Sequence, residues 1–296
     1  MLALMLTTLI SLSPSEQIHV VDQGEGPPAV MVAGLSGCAY SYRNVSPLLN
    51  EAGWRTIAID PLAAGMSSRP EGALYTLTAQ AERLAAVADS LGVHEAVWVA
   101  QGVHASTVYR VAIARPDLVR GIVSLEGGPI ESVATPGVRT GLKLAKLVSG
   151  LGGKGLIRDR LADGLRDASG DDSWVTRTTV RKYFRGAMRD MDGTLDAFLA
   201  MTRQAEPTPL IPELSRIEVP VLLLIGESDH EGGLAPEELE AMHAHLTDLT
   251  VEHVPGAGHF LMEERPDVVA EAVMRVGEAT AGGVTAGGAS AAPSGR

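Results

Sequence analysis

The chain has 296 residues, and its 36 acidic against 24 basic side chains give a net charge of −12. This length suits one large α/β domain or two smaller ones, with a sizeable buried core. The negative charge disfavours nucleic acid, which binds to basic faces. The single cysteine, Cys38, excludes an internal disulfide and a structural zinc site built from several cysteines.

The two ends of the chain differ in composition from the rest. Residues 1–16 form an apolar extension ahead of the first predicted strand at residue 17. The apolar run is too short to span a bilayer but fits the core of a signal peptide. It lacks a basic flank and a small-x-small cleavage site. Two interpretations therefore stay open, an export signal or membrane anchor and a packed extension of a cytoplasmic protein. Residues 279–296 are rich in Gly, Ala and Ser, which predicts a disordered tail.

Short β-branched runs alternate with amphipathic helical patterns along most of the chain. The predicted strands lie at 17–22, 29–35, 54–60, 95–101, 121–127, 219–228 and 249–256. The predicted helices between them lie at 76–91, 103–115, 236–247 and 265–276. Strands that alternate with helices indicate an α/β fold with a mostly parallel central sheet flanked by helices.

One long segment interrupts this alternation. Residues 129–212 contain no convincing strand but four helical patterns, at 137–150, 154–167, 173–189 and 193–204. An insertion of this kind is typical of a helical cap over the carboxyl edge of the sheet, where open α/β sheets bind their ligands. The predicted organisation is a core of residues 17–128 and 213–278 with a cap of residues 129–212.

The stretch EAVWVAQGVHAS, residues 95–106, predicts a strand that turns sharply into a helix at Gly102. It resembles the nucleophile elbow V-G-x-S-x-G-G of the α/β-hydrolase superfamily, in particular the capped esterase, haloalkane dehalogenase and epoxide hydrolase branch. An alignment without gaps puts Ala100 and His104 at the first two of the three glycines and Gly102 at the serine. The resemblance runs from Gln17 to Gly277 and implies an α/β-hydrolase fold with a degenerate nucleophile position. Glycine suits the positive φ of such a turn but has no side chain that can attack a substrate.

A second stretch, VAGLSGCAY, resembles the oxyanion loop of the same superfamily. The resemblance implies that the backbone N–H groups of Leu35 and Val103 stabilise negative charge on a substrate oxygen. Ser36 and Cys38 lie in this loop and are candidate pocket residues. They are also candidates for a displaced nucleophile, although the family layout places no base beside them.

His104 stands where the family has a small residue, because helix and strand pack closely there. One interpretation is a core histidine whose hydrogen bonds are satisfied. The other is a second pocket base or a hydrogen-bonding partner for a ligand.

Two further stretches supply an acid and a base. His259 follows the last predicted strand, and Asp229 lies three residues after Gly226, at the family positions of the catalytic histidine and its acid. The resemblance implies that aspartate holds the imidazole tautomer and stabilises its charged form. Glu126 follows another predicted strand, where some relatives carry the acid instead, so His259 has two candidate partners.

We predict neither a cofactor nor a metal site from the sequence. The acidic and histidine side chains at positions 104, 126, 229 and 259 are of types that bind metals, but no short-spacing motif such as H-x-x-x-H supports a site. The chain also has no dinucleotide-binding fingerprint after a strand.

Three interpretations of function remain. The first is a hydrolase-family enzyme that uses a His–acid dyad as general base, without a serine nucleophile, on a small apolar ester-like or carbonyl substrate. The second is a catalytically inactive ligand-binding protein, as in the related N-myc-downstream-regulated family. The third is an ordinary hydrolase whose elbow is misread. In each case the predicted partner is a small apolar molecule.

Overall fold

The structure, a computed structural model, describes residues 6–35, 37–130 and 136–283. Within these ranges it contains one eight-stranded sheet with the order β1-β2-β4-β3-β5-β6-β7-β8. The strands are β1 (Leu6–Ser11), β2 (Gln17–Gln23), β3 (Pro28–Val32), β4 (Arg55–Ile59), β5 (Ala96–Gln101), β6 (Val119–Leu125), β7 (Val221–Gly226) and β8 (Leu249–Val254). Strand β1 pairs antiparallel with β2, and β2 pairs antiparallel with β4. All later neighbours in this order, from β4 to β8, pair parallel.

Helices cover both faces of the sheet, as the sequence predicts. Helices α2 (Leu77–Ser90), α3 (Val103–Ala114) and α9 (Pro236–His245) pack on one face, and α1 (Val45–Glu51), α10 (Leu261–Glu264) and α11 (Pro266–Gly283) on the other. Successive side chains of β3 point to opposite faces of the sheet. Val30 packs in the hydrophobic core with α2, α3 and α9, and Met31 packs in the core with α1, α10 and α11. Because helices cover both faces of the sheet, the sequences of the parallel strands are nearly continuous runs of apolar residues.

The amino-terminal extension differs from the expectation, because the first strand begins before residue 17. Strand β1 pairs antiparallel with β2 in a register that runs from Leu6 opposite Asp22 to Ser11 opposite Gln17. Leu6 and Leu9 are about half exposed, as is usual for an edge strand. Residues 6–16 are therefore an edge strand and its turn. The export signal and the membrane anchor stay predictions, and residues 1–5 lie outside the described part.

The last helix of the fold extends further than the sequence predicts. Helix α11 continues to Gly283, past residue 279 where the predicted tail begins, and the remainder of that tail lies outside the described residues. No helix in the described ranges combines the length and apolarity that a membrane span requires.

The described part of the segment between β6 and β7 contains five α-helices joined by loops and no strand. It contains α4 (Pro136–Gly150), α5 (Lys154–Asp167), α6 (Arg177–Tyr183), α7 (Arg185–Arg189) and α8 (Met191–Met201), which we call the helical insertion. The single helix predicted at 173–189 is divided into a short 3-10 turn, α6 and α7. Thr176 caps α6 by accepting a hydrogen bond from the Thr179 N–H at 3.2 Å, which fixes the start of that helix.

Candidate active site

The strand–turn–helix around Gly102 forms as the sequence predicts. Gly102 links β5 to α3 with φ 54° and ψ −128°, a conformation that costs glycine little. A Cβ atom at this position would lie 3.3 Å from Cε1 and 3.4 Å from Nε2 of His259. The Nε2 edge of the imidazole therefore faces the side of the elbow on which a residue at this position would carry its side chain.

Gln101, the last residue of β5, joins three parts of the site. Its buried side chain accepts a hydrogen bond from the Gly34 N–H at 3.1 Å through Oε1 and donates one to the His259 carbonyl at 3.1 Å through Nε2. The elbow, the oxyanion loop and the histidine loop are thus held together by one amide. Sequence analysis missed this residue, although a polar side chain at the end of a fully buried strand is a usable signal.

The predicted oxyanion residues lie on either side of this amide. Leu35 directly follows Gly34 and lines the cavity described below. Val103 is the first residue of α3, where helix N–H groups have no intrahelical partner. Ser36 lies outside the described residues. Cys38 is buried, and burial, reinforced by the negative charge of Asp60, raises the pKa of its thiol. Its protonated thiol is a poor nucleophile.

The loop that carries His259 is tied to the helical insertion. The His259 N–H donates to the Ala168 carbonyl at 2.8 Å. Oε2 of Glu264 accepts hydrogen bonds from the N–H groups of Gly170 at 2.8 Å and Gly258 at 3.0 Å. These contacts fix the position of the imidazole relative to the insertion.

The imidazole of His259 is neutral near pH 7. Burial, with a smaller contribution from the charge of His230, lowers the pKa of His259 to about 4. Its Nδ1 atom is buried and has no hydrogen-bonding partner among the described residues. A neutral imidazole can accept a proton, but the hydrogen bond that would fix its tautomer is not formed.

The predicted pair of Asp229 and His259 is not formed. Asp229 is exposed, and its side chain makes no hydrogen bond to the described residues. The next residue, His230, turns inward instead, with 6% of its side chain exposed. In this glycine-rich loop a shift of one residue exchanges solvent for interior, and the sequence pattern does not reveal which side chain points inward.

Glu126 is the carboxylate that the structure places beside the two histidines. It follows β6 with φ 53°, and its side chain accepts hydrogen bonds from the N–H groups of Gly226 and, at 3.4 Å, Leu234. Burial raises the pKa of Glu126. One carboxylate oxygen of Glu126 and one ring nitrogen each of His230 and His259 lie within 4.8 Å of one another. Sequence analysis proposed Glu126 and His259 but missed His230.

His104 is a core residue with a hydrogen-bonding partner. It is 2% exposed, and its Nδ1 lies 3.1 Å from Oγ1 of Thr107. Burial lowers the pKa of His104 to about 4, so the ring is neutral near pH 7. This geometry favours the structural interpretation of His104 over a second pocket base.

A cavity of about 620 Å³ lies between the sheet domain and the helical insertion. Its wall is mostly apolar and includes Leu35, Gly37, Ala63, Ala64, Gly65, Arg69, Leu142, Leu144, Val148, Leu156, Ile157, Leu161, Tyr183, Phe184, Met191, Leu195 and Phe198. Leu144 and Leu156 line it while 60% and 67% exposed. The cavity therefore opens to solvent through apolar side chains, and it contacts the oxyanion loop at Leu35.

The eight-stranded, mostly parallel sheet flanked by helices has the fold of an α/β-hydrolase. The sequence model described as "Alpha/beta hydrolase family" matches residues 29–272, and the chain belongs to this family. It is 25% identical over 268 residues to "Haloalkane dehalogenase 2" of Mycobacterium tuberculosis, covering 87% of this chain and 90% of the relative. It is 24% identical over 306 residues to "Epoxide hydrolase A" of the same organism, covering 87% and 93%. The structure also resembles a bromoperoxidase from Bacillus anthracis, with a TM-score of 0.74, 21% identity and coverage of 92% and 99%.

Proposed function

We propose that this protein is an enzyme that hydrolyses a small apolar ester-like or carbonyl substrate with His259 as general base and without a serine nucleophile. The observation that carries the proposal is the approach of His259 Nε2 to 3.4 Å from the Cβ position at Gly102. Since Gly102 has no side chain, a water molecule is the nucleophile that fits between the imidazole and a substrate carbonyl.

The chemistry needs no covalent intermediate. Nε2 of His259 takes a proton from water while the water oxygen bonds to the carbonyl carbon, and the N–H groups of Leu35 and Val103 stabilise the resulting oxyanion. The carbon–oxygen bond to the leaving group then breaks, and the imidazolium returns its proton to the leaving alkoxide. General-base catalysis of this kind contributes a factor of about 10²–10⁴ in rate.

The contacts favour Glu126 over Asp229 as the acidic group of the site. Glu126 is buried beside His230, at 3.6 Å between Oε2 and the ring Nε2, whereas Asp229 is exposed. A buried carboxylate stabilises the imidazolium that forms during proton transfer, because its charge is little screened by solvent.

The apolar wall of the cavity supports an apolar substrate. Pockets of about 300–1,000 Å³ with apolar walls and few polar groups are typical of small-molecule sites, and the cavity of about 620 Å³ falls within this range. Each additional buried CH₂ group contributes about 0.8 kcal/mol. We therefore expect kcat/KM to rise with acyl chain length until the cavity is filled.

A second candidate function is ligand binding without catalysis. The observation that favours it is the buried Nδ1 of His259, which has no hydrogen-bonded carboxylate among the described residues. In catalytic triads the acid holds the imidazole in the productive tautomer. In this second candidate function the imidazole is not held in the productive tautomer, and the cavity binds a ligand without catalysis.

Hydrolysis of p-nitrophenyl esters from acetate to hexanoate separates the two functions. We expect the chelator-treated wild type to exceed His259→Ala by about 10²–10⁴ in kcat/KM. Asp229→Asn is the matched control, because its carboxylate is exposed and should leave the rate unchanged. Equal rates for the wild type and His259→Ala, together with thermal stabilisation by apolar ligands, would establish the binding function instead.

A further inference from the structure

Three side chains meet at the carboxyl ends of three neighbouring strands. Glu126 follows β6, His230 lies in the loop after β7 and His259 lies in the loop after β8. Their carboxylate and imidazole ligand atoms lie within 4.8 Å of one another. We propose that Glu126, His230 and His259 bind one zinc ion on the side of His259 that faces away from Gly102.

The hydrogen bond of His230 fixes which of its nitrogens is free to bind a cation. Nδ1 lies 2.6 Å from the carbonyl oxygen of Ser228, which only accepts hydrogen bonds, so Nδ1 carries the hydrogen. In the neutral ring Nε2 then holds a lone pair. Metal-binding histidines in proteins almost always donate their other N–H group to a carbonyl or carboxylate in this way.

The lone pair of His230 faces another acceptor. Nε2 of His230 lies 3.6 Å from Oε2 of Glu126, which is too long for a hydrogen bond. Two electron-pair acceptors that face each other in a buried place need a hydrogen donor or a cation between them, which can be a proton, a bridging water molecule or a metal ion. Nε2 of His230 and Nδ1 of His259 are both buried without a hydrogen-bonding partner among the described residues.

Nδ1 of His259 faces the same loop that carries His230. A Cβ atom at Gly232 would lie 3.9 Å from this nitrogen, whereas the Cβ position at Gly102 approaches the opposite edge of the ring. The two nitrogens of His259 therefore serve different neighbours: Nε2 faces the elbow, and Nδ1 faces the loop that carries His230.

The donor set and its spacing suit zinc. Zinc binds imidazole nitrogen and carboxylate oxygen at about 2.0–2.2 Å, so tetrahedral neighbours are about 3.4 Å apart. The 3.6 Å between Glu126 and His230 is close to this value, and the ligand atom of His259 lies within 4.8 Å of both. Magnesium and calcium prefer all-oxygen sites. Two histidines and one glutamate leave a fourth position for water.

Zinc at this site would prevent His259 from acting as general base. When zinc occupies Nδ1 of His259, the hydrogen of the ring is on Nε2, which faces the elbow and no longer accepts a proton from water. Zinc is thereby a reversible inhibitor of the hydrolysis proposed above. This effect on rate rests on the proposed function, whereas zinc binding does not.

Calorimetric titration of the chelator-treated full chain with zinc chloride at pH 7.5 tests the site directly. We expect one zinc ion per chain in the wild type and at least tenfold weaker binding in Glu126→Gln and in His230→Gln. Asp229→Asn, which changes the exposed carboxylate next to His230, should bind zinc as the wild type does. Circular dichroism and melting temperatures establish that each variant is folded.

Cobalt(II) provides a second measurement on the same protein. A four-coordinate site should give visible absorption bands on addition of one equivalent of cobalt chloride, and Glu126→Gln should lose them. The proposal is overturned if the wild type binds no stoichiometric zinc, which would leave a proton or a bridging water molecule between His230 and Glu126. It is equally overturned if both variants retain wild-type affinity, which would place the ion elsewhere.

The outcomes for zinc and for hydrolysis are separable. Stoichiometric zinc binding without ester hydrolysis by the zinc-free protein would support the metal site and refute the proposed function. Hydrolysis that depends on His259 in a protein that binds no zinc by calorimetry would support the proposed function and refute the metal site.

Discussion

Gly102→Ser is the substitution that most directly tests the geometry of the elbow. The new Cβ would lie 3.4 Å from Nε2 of His259, and the hydroxyl, one bond further out, comes within hydrogen-bonding range of that nitrogen. The imidazole activates the hydroxyl by accepting its proton, as in other serine–histidine pairs. We therefore expect the variant to form an acyl-enzyme with activated esters.

The substitution also has a cost that the backbone sets. A residue with a side chain at φ 54° is strained by about 1–3 kcal/mol, and the 3.3 Å approach to Cε1 requires His259 to shift by a few tenths of an ångström. Each kcal/mol lowers the melting temperature of a protein of this size by about 2–4 °C. Gly102→Ser and Gly102→Ala should both melt a few degrees below the wild type.

The assay is covalent labelling with a fluorophosphonate, followed by intact mass and by the burst of p-nitrophenol from an activated ester. Gly102→Ser should gain one label per chain, and the double variant Gly102→Ser/His259→Ala should label about 10²–10⁴ times more slowly. Gly102→Ala is the matched control, since it has the same backbone strain without the hydroxyl. A folded Gly102→Ser protein that takes no label would refute the inference that Nε2 faces the elbow.

Three further predictions concern stability. His104 has a folded-state pKa of about 4 against about 6.5 when unfolded, so the unfolded chain binds the proton first as the pH falls. His104 contributes about 3 kcal/mol of stability above pH 6.5 that is lost towards pH 4. Urea titrations should therefore show a smaller loss in His104→Gln than in the wild type, and the loss that remains includes that of His259. Gln101→Leu leaves the Gly34 N–H unpaired and should lower the free energy of unfolding by about 1–3 kcal/mol in urea titrations at pH 7.5, whereas an unchanged midpoint would show that the amide is dispensable. Glu264→Ala removes the acceptor for Gly170 and should speed proteolytic cleavage of the loop between α5 and α6, and equal cleavage rates would contradict this role.

The local structure of the elbow could be read from the sequence because its causes are local. A continuous apolar run, a glycine that tolerates positive φ and a helical pattern at 103–115 are enough to predict β5, the turn at Gly102 and α3. The alternation of strands and helices likewise predicts the parallel sheet. By contrast, the edge strand at Leu6–Ser11 was missed, because its pairing with β2 gives little burial and therefore little sequence pattern.

Only the tertiary structure decided which carboxylate and which second histidine lie beside His259. The sequence determined that a histidine follows the last strand and that carboxylates follow two others, which is enough to predict His259 and two candidate acids. It did not determine that Asp229 faces solvent while His230 turns towards Glu126. The direction of a side chain in a glycine-rich loop depends on how the loop packs against neighbouring strands, so it has no periodic signature. The meeting of Glu126, His230 and His259 follows from the order of β6, β7 and β8 in the sheet, since residues far apart in the chain become neighbours only when parallel strands align their carboxyl ends.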